Sequence, residues 1–180
     1  MGRRAGRPGN GGRDAPAKRP GRTRRTRRTR RTRGSGVNAR AGERRLGREL
    51  ALQSLYLAEQ TGGDPGKALP GLPGWSLASE NARGFAEALI DQLLRHEEIV
   101  NGHITAVVRH WDRDRVARID DCILRLGACE LIAFLDIPTA VSINEAIELA
   151  KKYSTEQSGG FVNGVLDAVA ARHLTAADQA

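Results

Sequence analysis

The chain has 180 residues, a formal net charge of +8 and 39% hydrophobic residues, which suits one domain of ordinary size with a tail. No apolar run approaches the about 20 residues that span a bilayer, and the charged N-terminus lacks the apolar segment of a secretory signal. These features exclude a membrane-spanning protein and a secreted one. An Arg-rich, acid-poor organelle transit peptide stays open as an alternative for the N-terminus.

The positive charge is concentrated at the N-terminus. Residues 1–42 contain 15 basic residues and one acidic residue, for a net +14, whereas residues 43–180 contain 14 basic and 20 acidic residues, for a net −6. The stretch RTRRTRRTRRTR (22–33) alone carries eight arginines. Residues 1–38 have almost nothing to bury, so they are predicted to form a disordered arm. A basic arm on a mildly acidic body is typical of proteins that contact a polyanion.

Helical periodicity begins near residue 39. Apolar spacings of three and four predict an amphipathic helix over about 39–60. The segment TGGDPGKALPGLPGW (61–75) is rich in Gly and Pro and is predicted to be a surface loop without regular structure. A second helical run covers about 79–111, with a possible break at VNGH (100–103). The segment DRDRVARID (112–120) is predicted to be a connector with at most one helical turn.

Three further segments complete the predicted fold. DDCILRLGACELIAFLD (120–136) is dense in Ile and Leu and is predicted to be the most buried helix. IPTAVSINEAIELAKKYS (137–154) predicts a helix in which Ser142 and Glu145 form a capping box. SGGFVNGVLDAVAARH (158–173) is predicted to be the last helix. Since no segment shows strand-like alternation, the sequence predicts an all-α bundle of six or seven helices over 39–176.

No group of residues in the sequence predicts catalysis or metal binding. His96, His103 and His110 recur every seven residues, but neighbours about 10 Å apart cannot bind one metal ion, and a solvated helix face is the simpler interpretation. Cys122 and Cys129 have the same spacing, too wide for a disulfide within one helix, so we interpret them as buried residues of a reducing cytosol. With no P-loop, Rossmann or nucleophile-elbow motif, we expect no enzyme, no cofactor and no metal.

Arginines gather around the start of the first predicted helix, namely Arg40, Arg44, Arg45 and Arg48. Cations at a helix N-terminus oppose the macrodipole, so their placement costs stability and suggests a use in binding. Guanidinium groups bind phosphate and stack on bases. Exposed aromatic residues would add stacking on single-stranded bases, and Tyr56 and Phe161 are candidates, with core packing as the alternative role of both.

Four segments carry a family resemblance. RELALQSLY (48–56), ILRLGACEL (123–131), IPTAVSINEAIELAKKYS (137–154) and FVNGVLD (161–167) resemble the NusB family of bacterial transcription factors in order and spacing, over about 43–173. The resemblance implies two small helical bundles and a cytoplasmic antitermination role. It implies pairing with NusE, a small-subunit ribosomal protein, and binding to the boxA element of nascent, single-stranded RNA. The resulting complex would keep RNA polymerase elongating, notably on ribosomal RNA operons.

The same resemblance implies roles for particular residues. RNA contact is implied for Arg44, Arg45, Arg48 and Phe161, to which Arg40 is added as the neighbouring cation. NusE contact is implied for Tyr56 and Asp120, and more weakly for Gln157, which stands where the family often has an acid. Leu46 and Gly47 interrupt the arginine run that is usual in the family, so RNA affinity at this site is expected to be lower. The arm, which is not part of the family pattern, is expected to add sequence-independent phosphate contacts.

Three other interpretations stay open. NusB-type domains also stand at the front of some ribosomal RNA cytosine methyltransferases, which would require a further α/β domain with a cofactor-binding Gly-rich turn. A basic helical protein that merely compacts nucleic acid would show no preference between RNA sequences and no binding to NusE. A homodimer could cover the arginine-rich face and would then compete with RNA.

Overall fold

The computed structural model describes residues 34–108 and 116–177, with side chains described for 39–108 and 116–173. The described part of the chain consists of helices joined by turns and contains no strand, which confirms the predicted all-α class. A short 3-10 turn (Leu69–Gly71) follows the second helix. The α-helices are α1 (Gly34–Thr61), α2 (Pro65–Ala68), α3 (Glu80–Arg95), α4 (Glu97–Val107), α5 (Arg118–Ala133), α6 (Thr139–Tyr153) and α7 (Ser158–Ala177).

The helices form two groups that meet at α5. Helix α1 packs along α3 and against α2, while α6 packs along α7, and α5 contacts α1, α3, α4, α6 and α7. Helix α5 is buried almost continuously from Cys122 to Glu130, as predicted for the segment densest in Ile and Leu. Apolar side chains of every α-helix except the short α2 contribute to one continuous core. This arrangement carries the start of α1 across the first turns of α3 and the end of α5.

Two glycines mark where helices approach most closely. A Cβ added at Gly47 would lie 2.7 Å from the backbone oxygen of Ala82, so α1 and α3 cross there with no room for a side chain. A Cβ at Gly127 would lie 2.7 Å from a methyl carbon of Leu166, where α5 crosses α7. Gly47, which interrupts the arginine run, is therefore required by the packing of α1 on α3.

The Gly- and Pro-rich segment after α1 is more regular than predicted. Asp64 caps α2 by accepting hydrogen bonds from the backbone N–H groups of Gly66, at 2.8 Å, and Lys67, at 3.3 Å. Pro65 occupies the first turn, where the missing N–H of proline has no helical partner to lose. Leu69 and Leu72 are buried in the core. The prediction of an irregular surface loop is wrong, because a cap and two apolar anchors order the segment.

The predicted capping box at the start of α6 is also wrong. The helix begins at Thr139, so Ser142 lies a full turn inside it. Ser142 is buried, and its hydroxyl donates a 2.6 Å hydrogen bond to Oε1 of Glu130 on α5. Glu145 accepts hydrogen bonds from Arg45 on α1. Both side chains are used in contacts between helices rather than at the helix terminus.

Some predicted boundaries shift. The run over 79–111 breaks at His96, and Asn101 and Gly102 of the suspected VNGH step lie inside α4. Helix α1 begins at Gly34, five residues before its predicted start at residue 39. The rest of the predicted disordered arm (1–33), the end of the second predicted run (109–111, with His110) and the first four residues of the predicted connector (112–115) lie outside the described residues.

The histidines and cysteines have packing environments. His96 and His103 are half-buried rather than fully solvated, and the His103 ring meets the edge of His173 at 5.7 Å between centroids. Burial, followed by the nearby His173, lowers the pKa of His103. Cys122 and Cys129 are free thiols and buried as predicted, and burial raises the pKa of each to about 12. Among the described residues, no group of His, Cys, Asp or Glu is placed to hold a metal ion.

Candidate nucleic-acid interface

The arginines at the start of α1 differ in their surroundings. Arg40 is exposed. Arg44 donates from Nη2 to Oδ2 of Asp136 at 2.7 Å, in the turn that joins α5 to α6. Arg45 binds Glu145 of α6 through two hydrogen bonds, of 3.0 and 2.7 Å, yet its side chain is still 53% exposed. Since α1 begins at Gly34, Arg44 and Arg45 lie ten or more residues inside the helix, beyond the first turn in which the macrodipole acts, so the predicted macrodipole cost is wrong. Their charges are instead paired with carboxylates of α6 and of the turn before it.

Arg48 has a different position, inside the protein. Its side chain is 6% exposed and forms a two-pronged ion pair with Glu130, with hydrogen bonds of 2.8 and 2.6 Å. Glu130, itself 3% exposed, also accepts a hydrogen bond from the Ser142 hydroxyl. A buried carboxylate held by a fork of this geometry is well satisfied. Direct RNA contact by Arg48 stays a prediction, and its burial favours a role in holding α1 against α5.

An aromatic ring lies beneath two of the arginines. The guanidinium carbons of Arg44 and Arg48 lie 5.6 and 5.1 Å from the centroid of the Phe85 ring on α3. Phe85 in turn packs against Phe134 at 5.6 Å between ring centroids. Cations over an aromatic face are attracted by the quadrupole of the ring, so Phe85 helps to hold both guanidinium groups over its face. The close crossing at Gly47 brings Phe85 within reach of the α1 arginines.

An open groove lies beside this arginine and aromatic stack. Its volume is about 570 Å³, and it runs between residues 39–44 of α1 and residues 81–88 of α3. Glu43 spans the two helices by accepting hydrogen bonds from the Ser79 hydroxyl and the Asn81 amide, both at 3.1 Å. Ser79 also caps α3 through the backbone N–H of Ala82. The lining residues are Ala39, Arg40, Glu43, Arg44, Asn81, Gly84, Phe85 and Ala88.

A second set of predicted residues meets at the start of α7. Asp120 is buried at the first turn of α5 and accepts a 2.8 Å hydrogen bond from the hydroxyl of Ser158. Its other oxygen, Oδ1, is buried and has no hydrogen-bond partner. Gln157 is exposed beside Ser158, and Phe161 is half-buried against the core one turn further on. The structure therefore brings Asp120, Gln157 and Phe161 into one region.

Tyr56 stands apart from the arginines on α1. Twelve residues separate it from Arg44, which corresponds to about 18 Å along the helix axis. Its side chain is 38% exposed, enough to meet another molecule. The predicted residues thus form an arginine face at one end of α1, an exposed aromatic near its other end, and a polar region at the start of α7.

Sequence reasoning missed four residues that complete the arginine face. Asp136 and Glu130 supply carboxylates that pair with Arg44 and Arg48. Phe85 supplies the aromatic ring, and Asn81 lines part of the groove. Glu130 gave one usable signal, as a single acid within the apolar run ILRLGACEL. The other three lie on segments distant in sequence, and local patterns do not reveal such pairings.

Exposed arginines beside an aromatic ring on an all-helical domain are typical of nucleic-acid recognition domains. The family model described as "NusB family" matches residues 45–171. The transcription antitermination protein NusB of Geobacter sulfurreducens is 44% identical over 130 residues, which cover 72% of this chain and 94% of the relative. That of Myxococcus xanthus is 43% identical over 135 residues, covering 72% and 95%. The chain therefore belongs to the NusB family.

Solved structures agree with this assignment. A structure of Thermotoga maritima NusB ("T. maritima NusB") superposes with a TM-score of 0.66 at 33% identity, covering 72% of this chain and 92% of that one. A chain in a structure described as antitermination factors NusB and NusE in complex with double-stranded RNA superposes with a TM-score of 0.64 at 30% identity, covering 73% and 98%. The predicted NusB-like fold is confirmed.

Proposed function

We propose that this protein is a transcription antitermination factor. It binds boxA-type RNA in nascent transcripts together with NusE and so helps RNA polymerase to continue elongation, notably on ribosomal RNA operons. The observation that carries the proposal is membership of the NusB family along nearly the whole helical body, with relatives named as antitermination proteins. A structural relative captured with both NusE and RNA supports the joint binding. The protein would act in the cytoplasm, by binding and without catalysis.

The arginine face is the proposed RNA contact. Arg40 and Arg45 are exposed cations, and Arg44 lies at the groove above Phe85. Arg48 would act from inside, by fixing α1 and the ring that carries Arg44. Phe161, half-buried at the start of α7, would add an aromatic contact to RNA. Base reading requires fixed geometry, which this packed body supplies, whereas an arginine-rich arm is suited to phosphates.

The NusE contact is proposed for Tyr56, Gln157 and the region that Asp120 fixes. Tyr56 and Gln157 are exposed. Asp120 is buried and bonded to Ser158, so it would act by holding the start of α7 in place. This proposal assigns the arginine face and Phe161 to RNA, and Tyr56 and Gln157 to NusE, so the two partners would lie next to each other at the start of α7.

The alternatives are less well supported. Relatives that are covered over 94% and 95% of their own length are named as antitermination proteins rather than methyltransferases. Compaction of nucleic acid without sequence preference would need only a cationic surface. Here the charges of Arg44 and Arg45 are paired with specific carboxylates, which favours a geometrically defined contact.

The test is isothermal titration calorimetry of the full-length protein with the NusE of the same organism, with boxA RNA and with a scrambled RNA of equal length. We expect NusE to bind alone, and the pair to bind boxA RNA more tightly than the scrambled RNA. No heat of binding with NusE at any ionic strength would refute the proposal. Equal affinity for both RNAs would instead support the non-specific alternative.

A further inference from the structure

We propose that the groove between α1 and α3 is a pocket for one unpaired RNA base, an inference that rests on the proposed function. At about 570 Å³ the groove is within the about 300–1,000 Å³ typical of small-ligand clefts, and it opens to solvent between the two helices. Its position beside the arginine face would place it along the path of a bound strand. One base of that strand would unstack from its neighbours and enter the pocket, where its ring would be stacked and its polar edge hydrogen-bonded.

The flat wall of the pocket is the guanidinium of Arg44. The guanidinium carbon lies 5.6 Å from the centroid of Phe85, and Nη2 is bonded to Asp136, so the group is held at two places. Unstacked bases in RNA complexes stack on aromatic rings and on guanidinium planes of this kind. A base in the groove would therefore stack on the Arg44 guanidinium, next to the Phe85 ring.

The opposite surface of the groove is small and open. A Cβ added at Gly84 would meet no atom within 4 Å, and Ala39 and Ala88 also line the space with small side chains. This side leaves room for a planar ring without moving either helix. Because Gly84 is exposed in the middle of α3, its lack of a side chain is not required by packing.

The polar edge of the pocket comes from Glu43 and Asn81. Each oxygen of the Glu43 carboxylate accepts one hydrogen bond, from the Ser79 hydroxyl and from the Asn81 amide. A carboxylate offers about four acceptor positions, so Glu43 could accept two more hydrogen bonds. Its acceptors suit a base that carries an amino group, such as adenine, cytosine or guanine, better than uracil.

Charge favours RNA over other occupants. Arg40 is exposed at the groove and Arg44 lines it, so a strand would meet cations on either side of Glu43. A negatively charged peptide would satisfy the arginines, but its aromatic side chains carry no amino group on the ring edge to donate to Glu43. An oligonucleotide supplies both the phosphate and the ring.

The test fills the groove without disturbing the fold. Gly84→Leu places a side chain into open space, and Gly102→Leu is the matched control, because Gly102 is also an exposed helical glycine with no atom within 4 Å of a Cβ. Both variants should gain the same helix propensity and remain folded by circular dichroism. With NusE present, G84L should bind boxA RNA at least about five-fold more weakly than wild type, as expected for the loss of one stacked base, while G102L should bind normally.

Single abasic substitutions along the RNA separate base binding from phosphate binding. In wild type and G102L, we expect one amino-bearing position at which removal of the base weakens binding, and in G84L that position should become insensitive. Normal RNA binding by G84L would overturn the pocket but not the proposed function. So would a loss of affinity in G84L, relative to wild type, that is equally large for the intact RNA and for every abasic RNA. If wild type binds no RNA even with NusE, both the pocket and the proposed function are overturned.

Discussion

Arg44 at the start of α1 and Asp136 after α5, 92 residues apart in the chain, are joined by a 2.7 Å hydrogen bond, with Arg44 lying over Phe85. The proposed RNA-binding cation is therefore paired with a carboxylate of its own protein before any phosphate arrives. Arg45 has the same kind of partner in Glu145. An incoming RNA backbone must compete with these carboxylates, so they would limit affinity for any polyanion that cannot make additional base contacts.

Removal of the Asp136 carboxylate should therefore strengthen RNA binding. Asp136→Asn removes the negative charge that competes with RNA for Arg44 but keeps a side-chain oxygen that can accept the Arg44 hydrogen bond, so the guanidinium stays in place. The acid of this pair is 63% exposed, and exposed pairs contribute about 0.2–1 kcal/mol. We expect an affinity gain of up to about five-fold in fluorescence anisotropy. Asp91→Asn is the matched control, because it removes an equal charge from an exposed pair, Arg95–Asp91, neither member of which lines the groove. A gain of the same size in both variants would indicate a general charge effect.

The Asp136 pair also predicts a dependence on pH. The hydrogen bond from Arg44 holds the pKa of Asp136 below its usual range. A carboxylate whose pKa is lower in the folded than in the unfolded protein stabilises the fold at pH values above its unfolded-state pKa. That stabilisation is lost as the pH falls through its folded-state pKa. Wild type should therefore lose slightly more stability than D136N on acidification below about pH 4, measured by urea unfolding. Parallel curves for the two proteins would show that the pair contributes nothing.

Loss of the Arg48 side chain should destabilise the fold strongly. Arg48→Met leaves Glu130, 3% exposed, as a buried carboxylate without its cation. Breaking such a pair costs about 3–5 kcal/mol, which urea unfolding measures directly. The double variant R48M/E130Q should recover part of that loss, because the buried charge is then removed as well. Arg95→Met, at an exposed arginine, should change stability by less than about 0.5 kcal/mol.

A single methyl group at Gly47 should disturb the crossing of α1 and α3. In Gly47→Ala the new Cβ would lie 2.7 Å from the Ala82 carbonyl oxygen and 2.9 Å from Cδ1 of Phe85. Overpacking of this kind costs about 1–3 kcal/mol. Gly102→Ala, in open space on α4, should instead stabilise by up to about 1 kcal/mol through helix propensity. Chemical denaturation of the two variants compares them directly, and an undiminished stability of G47A would contradict the close crossing.

Deletion of residues 1–33, which keeps α1 from Gly34, should change the salt dependence of RNA binding. This segment contains 14 of the 15 basic residues of the first 42. For single strands, log affinity falls with log salt with a slope of about −0.7 per phosphate neutralised, so the truncated protein should show a shallower slope. Its preference for boxA over scrambled RNA should remain. Loss of that preference on truncation would place base reading in the arm.

The buried cysteines should be unreactive in the folded protein. With a pKa of about 12 for each of Cys122 and Cys129, only about one thiol in ten thousand is ionised at pH 8. A raised thiol pKa contributes stability below the unfolded pKa, and that contribution is lost as pH rises from about 8.5 towards 12. Labelling by a thiol reagent at pH 8 should therefore be slow and should accelerate in urea. Rapid labelling of native protein would show that these helices open readily.

Sequence by itself determined the helical class, the near-complete burial of α5 and the two free cysteines. Periodic apolar residues specify such features locally, since each helix face is set by residues three or four apart. The capping box and the irregular loop were wrong for a related reason: Ser142 and Glu145 are used by other helices, and Leu69 and Leu72 order a segment whose local composition suggests irregularity.

Only the tertiary structure decided how the four arginines differ. The sequence presents Arg40, Arg44, Arg45 and Arg48 as one cationic cluster. In the folded protein, Arg48 is paired with Glu130 in the interior, whereas Arg44 is paired with Asp136 and lies over Phe85 beside the groove. Arg40 is exposed. Arg45 is paired with Glu145 on α6. The partners come from α3, α5, α6 and the turn before α6, between 37 and 100 residues away, and such pairings depend on how whole helices pack rather than on neighbouring residues.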